Sequence, residues 1–138
     1  MAPDLDLTGR RVLVVGGETA LGRALAVGLA GRGAAVAIAT LTQATEAEFA
    51  VNSALNELWA MGREGVALVI DAGDAGELRE ATLLAERELG RLDLAAVVEG
   101  ASPVATDAVR SALGERPVVV LAADGDVAEA LGEIGEAL

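Results

Sequence analysis

The sequence contains no cysteine, histidine, tyrosine or lysine, and these residue types supply most acid–base and nucleophilic chemistry near neutral pH. Without cysteine there is neither a disulfide nor a thiolate, so cysteine usage says nothing about the redox compartment. A metal ion would find only oxygen ligands, and the acidic residues lack the spacing of a calcium loop. We therefore expect no metal, and only carboxylates and hydroxyls remain for catalysis.

Aromatic and basic residues are also scarce. One Phe and one Trp offer little surface for stacking on nucleobases. The ten basic residues are all arginine and face 22 acidic ones, which gives a formal net charge of −12. Because such a charge repels phosphate backbones and anionic lipids, we expect neither nucleic acid nor a membrane surface as a partner.

Long hydrophobic runs are absent as well. No apolar stretch is long enough to span a bilayer. The segment Met1 to Asp6 carries acidic residues where a signal peptide would carry a basic region followed by an apolar one. The sequence therefore predicts a cytoplasmic protein.

The residues that are present predict one α/β domain over residues 1–138. Of the 138 residues, 53% are hydrophobic, which is enough to cover both faces of a sheet. Short runs rich in Val, Ile and Leu alternate with helical stretches, and they lack the polar alternation of half-exposed strands. The predicted strands are Val12 to Val15, Ala35 to Ala39, Val66 to Ile70, Leu94 to Val98 and Val118 to Ala122.

Helix signals lie between these runs. Thr45 with Glu48, and Asp74 with Glu77, have the spacing of capping boxes, and Ser102-Pro103 places a capping hydroxyl before a proline. Apolar stripes with spacings of three or four residues predict the buried helix faces. These stripes are Leu21, Leu25 and Leu29; Val51, Leu55, Leu58 and Trp59; and Val127, Leu131, Ile134 and Leu138.

Strand–helix alternation with right-handed crossovers predicts a doubly wound parallel sheet of the Rossmann type. We expect the five strands in the order 3-2-1-4-5. The ligand crevice of such a sheet lies at the carboxyl ends of the first and fourth strands.

A glycine-rich turn, Gly16 to Gly22, joins the first strand to the following helix. Backbone N–H groups and the helix dipole at such a turn favour a pyrophosphate, and glycine permits close approach of the backbone. Tight packing of a helix on a strand also requires small residues. Both interpretations of the turn remain open at this point.

The segment Asp6 to Gly17 resembles the opening of a short-chain dehydrogenase/reductase, whose loop reads T-G-x-x-x-G-x-G. On that pattern Val15 replaces the threonine, Gly16 and Gly22 match the first and third glycines, and Ala20 replaces the second. The resemblance continues through Gly33 to Ala39 and Ala67 to Asp74, and covers about two-thirds of the chain. It implies a dinucleotide site formed by Gly16, Gly17, Ala20, Leu21, Gly22, Thr40, Asp71 and Gly100.

Within this resemblance Asp71 is the counterpart of the family's aspartate beside the adenine. The implied cofactor is NAD or NADP. The residues after the second strand, Thr40-Leu41-Thr42, offer neither an acid for a ribose nor a base for a 2′-phosphate. Glu18 in the loop would repel a phosphate, and Arg23 would attract one. The balance favours NAD or a simpler adenine nucleotide.

The resemblance ends where the family's catalytic residues begin. Val97, Val98, Glu99 and Gly100 stand where the family has N-N-A-G, and Ala122-Ala123 stands near its serine. The family's Tyr-x-x-x-Lys pair has no counterpart, because the sequence contains neither residue type. Carboxylates at strand ends are the remaining catalytic candidates, with helix capping or plain solvent exposure as the alternative explanation; they are Glu99, Asp124 and Asp126.

Three functions follow as hypotheses. The chain could be a non-catalytic reductase-like module that binds NAD(P) or another adenine nucleotide. It could instead be an NAD(P)-dependent oxidoreductase that acts with a partner chain, or a structural subunit without a small ligand. We also expect a homo-oligomer, formed through apolar surface on the helix from Val104 to Leu113 and on the last helix.

Overall fold

A five-stranded parallel sheet forms the centre of the molecule, and helices cover both of its faces. The computed structural model describes residues 5–98 and 103–138. Strands and helices alternate throughout, as the apolar runs predict. In chain order the elements are β1 (Arg11–Val15), α1 (Ala20–Gly31), β2 (Ala35–Ala39), α2 (Thr45–Ala60), β3 (Gly65–Leu68), α3 (Ala75–Leu89), β4 (Leu94–Val98), α4 (Pro103–Leu113), β5 (Val118–Leu121) and α5 (Val127–Ala137).

The strand order is β3-β2-β1-β4-β5 with every pair parallel, which confirms the predicted fold and order. The chain runs outward from β1 through β2 to β3 and then crosses back to β4 on the other side of β1. Val12 consequently lies between Val36 of β2 and Leu94 of β4. This reversal of direction places the ligand crevice of a doubly wound sheet at the carboxyl end of β1.

Alternate residues of β1 build two separate cores. Val12 and Val14 pack with α1, α2 and α5 on one face, while Leu13 and Val15 pack with α3 and α4 on the other. All four side chains are fully buried, and each such burial stabilises the fold by roughly 1.5–3 kcal/mol. The helices supply the large buried partners Leu25, Leu29, Leu58 and Ile134 on the first face and Leu78, Val109 and Leu113 on the second.

The end of β3 differs from the prediction, which extended the strand to Ile70. The strand ladder stops at Leu68 because a side chain takes over the next hydrogen bonds. The buried hydroxyl of Thr40 donates to the Ile70 carbonyl at 2.9 Å and accepts from the Ile70 N–H at 2.8 Å. Ile70 therefore stays attached to the end of β2 without being part of the ladder.

Helix α2 corrects two further predictions. Thr45 is already helical, the N-cap residue is Ala44, and no side chain of the described residues caps this helix, so the predicted capping box with Glu48 is wrong. Glu46 and Glu48 in the first turn favour the helix through its dipole instead. Trp59 is 57% exposed and does not belong to the buried stripe, because it lies next to Leu58 on the side that faces solvent.

The other helix starts follow the predicted chemistry more closely. Asp74 accepts hydrogen bonds from the N–H groups of Gly76 and Glu77, so it caps α3 as predicted. The Glu77 carboxylate does not close the box but accepts from Gln43 Nε2 and from the Asp71 N–H. The predicted cap Ser102 lies outside the described residues.

Two of the α4 residues predicted to offer apolar surface to a second copy are buried inside the chain. Val109 and Leu113 of α4 are 0% and 2% exposed, and Leu131 and Ile134 of α5 are 7% and 0% exposed. Val109 and Leu113 are therefore not available to a second copy, whereas the burial of Leu131 and Ile134 agrees with the apolar stripe predicted for the last helix. Association into a homo-oligomer stays a prediction.

In residues 5–98 and 103–138, no helix combines the length and the hydrophobicity that a membrane span requires. The cytoplasmic location stays a prediction.

Arg116 joins several elements at the amino edge of the sheet, where the strands begin. Its guanidinium donates to the Glu86 carboxylate of α3 at 2.7 Å, to the Leu92 carbonyl before β4 at 2.7 Å and to the Leu113 carbonyl of α4 at 2.8 Å. The Leu92 N–H returns a bond to the same Glu86 carboxylate. One side-chain pair thus holds α3, α4 and the start of β4 together.

The environment of Glu86 shifts its pKa. Partial burial raises the pKa, but the Arg116 and Leu92 hydrogen bonds, with the positive charges of Arg116 and Arg91, outweigh burial and hold the pKa below its ordinary value of 4.5. A carboxyl group whose pKa is lowered by folding stabilises the folded state above its unfolded pKa. That contribution is lost as the pH falls through the folded pKa.

Glu86→Gln should therefore lower the free energy of unfolding at pH 7 by about 1–3 kcal/mol, because Arg116 loses its charged acceptor. The loss should begin to shrink as the pH falls below about 4.5, the ordinary pKa of the group, and should vanish only below the lower pKa that the carboxyl group has in the folded protein. Urea unfolding at neutral and acidic pH measures both. Glu88→Gln on the exposed side of α3 is the control with the same charge change. An equal loss of unfolding free energy at both pH values would show that the charge of Glu86 is not what stabilises the contact with Arg116.

Candidate functional site

The turn from β1 to α1 is closed by backbone hydrogen bonds to the end of β2. The N–H groups of Gly16 and Gly17 both donate to the Ala39 carbonyl, at 2.9 and 3.0 Å. Thr19 is the N-cap of α1, and its hydroxyl donates to the Gly16 carbonyl and accepts from the Gly22 N–H. Internal hydrogen bonds therefore fix the turn without a ligand.

The glycines of this turn are required by internal packing. Gly16 has φ of +101°, and a Cβ there would lie 2.9 Å from Cβ of Val98. A Cβ on Gly17 would collide with Cγ2 of Ile38, and one on Gly22 would collide with the Gly16 carbonyl oxygen. Ala20, which replaces the family's second glycine, is exposed. The packing interpretation of Gly16, Gly17 and Gly22 is thus supported by geometry.

Packing does not use every polar group of the turn. Among the described residues, the N–H groups of Glu18, Ala20 and Leu21 have no hydrogen-bond acceptor. They lie at the N-terminus of the 12-residue helix α1, where the helix dipole favours an anion. The predicted phosphate-binding turn therefore has free donors, and the residues present fit the pyrophosphate of a dinucleotide.

Glu18 lies in the same turn but binds the backbone after β2. Its carboxylate accepts from the Leu41 N–H at 2.8 and 3.0 Å and from the Thr42 N–H at 3.3 Å. The sequence indicated only that Glu18 would repel a phosphate. One signal in the sequence could have indicated these contacts. An acidic residue within a turn that otherwise favours anions is expected to have hydrogen-bond donors elsewhere in the protein.

Thr40, predicted to contact a cofactor, is fully buried. Its hydroxyl already has a donor and an acceptor partner on Ile70. The structure therefore gives Thr40 a clear part in joining β2 to the segment after β3. Its role toward a cofactor stays a prediction.

Asp71 follows this segment and is exposed. Its carboxylate accepts from the Gly73 N–H at 2.9 Å, in a tight turn that leads into α3. Ala72 donates to the Leu41 carbonyl at 2.9 Å, which ties this turn to the residues after β2. The structure thus places Asp71 at the same edge of the sheet as Gly16 and Glu18, and its predicted place beside an adenine is untested.

Arg23 does not lie over the glycine turn. Its guanidinium points to α2, where it donates to the Ala50 carbonyl and to the Glu57 carboxylate, both at 3.4 Å. Both side chains of this ion pair are partly exposed, so its contribution to stability is small. The Arg23 guanidinium, expected to attract a phosphate, is therefore bound to α2 instead.

The carboxyl ends of β4 and β5 carry the remaining candidates. Val97 and Val98 are buried, and the next residues, Glu99 and Gly100, lie outside the described residues. Asp126 caps α5 by accepting from the Ala128 N–H at 3.2 Å, as the capping alternative predicts. Asp124 is exposed in the preceding turn. In the described ranges, no group of three acidic residues is arranged to hold a metal ion.

The family model for the KR domain matches residues 11–134. An uncharacterized oxidoreductase of Bacillus subtilis, YhxD, is 36% identical over 94 residues, which are 68% of this chain and 30% of that protein. Cyclohexanol dehydrogenase of a Rhodococcus species is 29% identical over 126 residues, which are 86% of this chain and 47% of that protein. The chain thus spans less than half the length of either relative.

A solved structure that is similar to this chain contains a bound dinucleotide. A protein of Burkholderia cenocepacia with bound NADP has a TM-score of 0.62 and 28% sequence identity, over 67% of this chain and 35% of that one.

Gly17→Ala should lower the free energy of unfolding by about 1–3 kcal/mol without any ligand, because its methyl group would enter the space of Ile38. Gly132→Ala in α5 is the matched control. A Cβ there meets nothing within 4 Å, so this change should raise stability by about 0.8–1 kcal/mol. Chemical denaturation of the two variants tests the opposite signs. A neutral Gly17→Ala would show that the turn tolerates a side chain.

Proposed function

Because this chain belongs to the short-chain dehydrogenase/reductase family, we propose that it is a dinucleotide-binding Rossmann module that does not itself transfer hydride. The observation that carries the binding half of the proposal is the set of N–H groups at the start of α1 that have no acceptor among the described residues. They belong to Glu18, Ala20 and Leu21, which follow the carboxyl end of β1. An anion is the partner that such donors and a helix dipole favour.

The residues that would hold the dinucleotide follow from this arrangement. Its pyrophosphate would lie against the turn from Gly16 to Gly22, which is already closed on Ala39. Its adenosine would lie toward the ends of β2 and β3, where Leu41 and Asp71 are held by the bond between Ala72 and Leu41. When bound, a nicotinamide dinucleotide supplies a hydride acceptor or donor; the residues of the turn only bind and orient it.

The non-catalytic half of the proposal rests on residue types. Proton transfer to a carbonyl in this family uses a tyrosine with a lysine, and these 138 residues contain neither. Among the carboxylates named as substitutes, Asp126 is occupied as a helix cap. The turn can thus bind a cofactor while the acid–base partner for a substrate is missing.

Two alternatives have their own support. A purely structural unit is favoured by the glycine contacts, since packing accounts for Gly16, Gly17 and Gly22 without any ligand. An oxidoreductase completed by further protein is favoured by the relatives, because one is named an oxidoreductase and the other a dehydrogenase, and both are more than twice the length of the matched segment. Titration of the isolated chain separates the first alternative from our proposal, and turnover assays address the second.

NAD or NADP in large excess should raise the unfolding temperature, since a ligand at about 100 times its Kd adds about 2.7 kcal/mol to the stability of the native state. Ala20→Asp should weaken this binding by about tenfold or more, because it places a negative charge beside the free N–H groups. Without ligand the variant should be as stable as wild type, since an acidic residue in the first turn of a helix is favourable. Calorimetric titration measures the nucleotide affinity, and thermal unfolding measures the stability with and without ligand.

Ala24→Asp is the matched control. Ala24 is also exposed on α1, one turn further along, away from the free N–H groups. It should bind like the wild type. Unchanged affinity in Ala20→Asp would move the site away from this turn, and no thermal shift with either nucleotide in the wild type would favour the structural alternative.

The purified chain should neither oxidise alcohols nor reduce carbonyls with NAD(H) or NADP(H) above background, because it lacks a phenol–ammonium pair. The absorbance of the reduced nicotinamide follows the reaction. Measurable turnover that disappears in Glu99→Gln, but persists in Glu88→Gln, would contradict the proposal and identify a substitute acid.

A further inference from the structure

The Glu18 carboxylate lies where the residues after β2 present their backbone N–H groups. Both of its oxygens accept from Leu41, at 3.0 and 2.8 Å, and one also accepts from Thr42 at 3.3 Å. The contact spans 23 residues of sequence and joins the turn after β1 to the loop after β2. A charged side chain held by several backbone donors has a fixed position.

This position matters in a dinucleotide fold. The adenosine ribose lies near the carboxyl end of β2, where an acidic side chain accepts from the ribose hydroxyls, or an arginine receives a 2′-phosphate. Here the residues after β2, Thr40, Leu41 and Thr42, bring neither type of side chain. Glu18 brings a carboxylate to the same place from the neighbouring turn.

We propose that Glu18 is the specificity-determining residue of the nucleotide site and selects a free ribose 2′-hydroxyl, as in NAD, against a 2′-phosphate, as in NADP. The inference rests on the proposed dinucleotide binding and concerns which dinucleotide is accepted.

The hydrogen bonds of Glu18 leave it suited to a hydroxyl. Two carboxylate oxygens offer about four acceptor sites, and Leu41 and Thr42 supply three contacts. One acceptor site therefore remains for a ribose O–H. A phosphate has no proton to donate at its charged oxygens and would find both N–H groups already bound.

The charge of Glu18 is not neutralised locally. Within the described part of the chain, Glu18 forms no ion pair. Arg23, the basic residue nearest in sequence, donates to the Ala50 carbonyl and pairs with Glu57. A 2′-phosphate at the end of β2 would therefore meet a negative charge that no described cation balances, and two like charges at close range repel each other.

The surrounding backbone holds the receiving groups in place. The Leu41 carbonyl accepts from the Ala72 N–H at 2.9 Å, while its N–H donates to Glu18. The preceding residue, Thr40, is buried and bound to Ile70 through its hydroxyl. Because Leu41 is bound on both sides, the loop cannot easily turn its N–H groups toward a phosphate. Family membership does not decide the choice, since a similar structure holds NADP.

The experiment compares NAD and NADP by calorimetric titration of three proteins. The wild type should bind NAD about tenfold or more tightly than NADP. Glu18→Gln keeps the shape and one acceptor oxygen but removes the charge, and it should reduce this ratio to about threefold or less, mainly by improved NADP binding. Glu64→Gln is the control, because Glu64 is exposed before β3 at the opposite edge of the sheet and the change in net charge is the same. It should keep the wild-type ratio.

The outcomes are distinct. If the wild type binds both nucleotides with equal affinity, or prefers NADP, the inference is wrong while the proposed function stands. If Glu18→Gln keeps the wild-type preference, Glu18 does not determine it. If neither nucleotide binds to any of the three proteins, the proposed function fails, and the inference fails with it.

A second measurement tests the structural premise without nucleotide. Amide hydrogen exchange at Leu41 and Thr42 should be about tenfold or more faster in Glu18→Ala than in the wild type, because their acceptor is removed. Exchange at Val14 in the centre of β1 should be unchanged, which would show that the variant is folded. Equal exchange rates at Leu41 in both proteins would show that Glu18 does not hold this loop, and would overturn the inference.

Discussion

The carbonyl oxygen of Ala39 accepts the N–H groups of both Gly16 and Gly17, and the carboxyl edge of the sheet depends on this double contact. It joins the end of β2 to the turn after β1, and it requires that two consecutive residues have no side chain on the side facing Val98 and Ile38. The direction of the turn then determines where α1 begins and which N–H groups stay free. It also brings Glu18 within reach of Leu41.

Binding and packing make the same demand on Gly16, Gly17 and Gly22, so these residues alone cannot distinguish a nucleotide site from a structural turn. A nucleotide would bind through the groups that packing leaves unused. The first N–H groups of any α-helix lack an intrahelical acceptor, and a cap, water or a ligand must satisfy them. Here the N–H groups of Glu18, Ala20 and Leu21 are left free among the described residues, next to the exposed Ala20.

Much of the fold could be predicted from local patterns. Strands buried on both faces appear as unbroken apolar runs, and their alternation with helices leaves few topologies, so the order around β1 was correct. Asp74 and Asp126 cap helices through bonds to residues two or three positions away, which a sequence displays directly. The capping prediction for Thr45 was wrong because a sequence pattern does not fix the residue at which the first turn of a helix begins. In the structure α2 begins at Thr45 itself.

The site was less predictable because its contacts are distant in sequence. The resemblance indicated the glycine positions, but the partners of Glu18 lie 23 residues away and those of Thr40 lie 30 residues away. No periodicity or spacing rule links such residues. The sequence therefore identified Glu18 as a charge and missed that it is bound, and it named Thr40 as a cofactor contact although its hydroxyl serves the connection between β2 and the segment after β3.

The clasp of Arg116 with Glu86 and Leu92 lies at the edge where strands begin, whereas the glycine turn, Glu18 and Asp71 lie where strands end. The two edges share no hydrogen-bonded side chain in the described residues, so the side-chain hydrogen bonds of one edge do not depend directly on those of the other. Sequence change during evolution can thus alter or erase a reaction at the carboxyl edge while the molecule continues to fold. A Rossmann domain that is held together at its amino edge can therefore keep its fold after the residues of a reaction at its carboxyl edge have been lost.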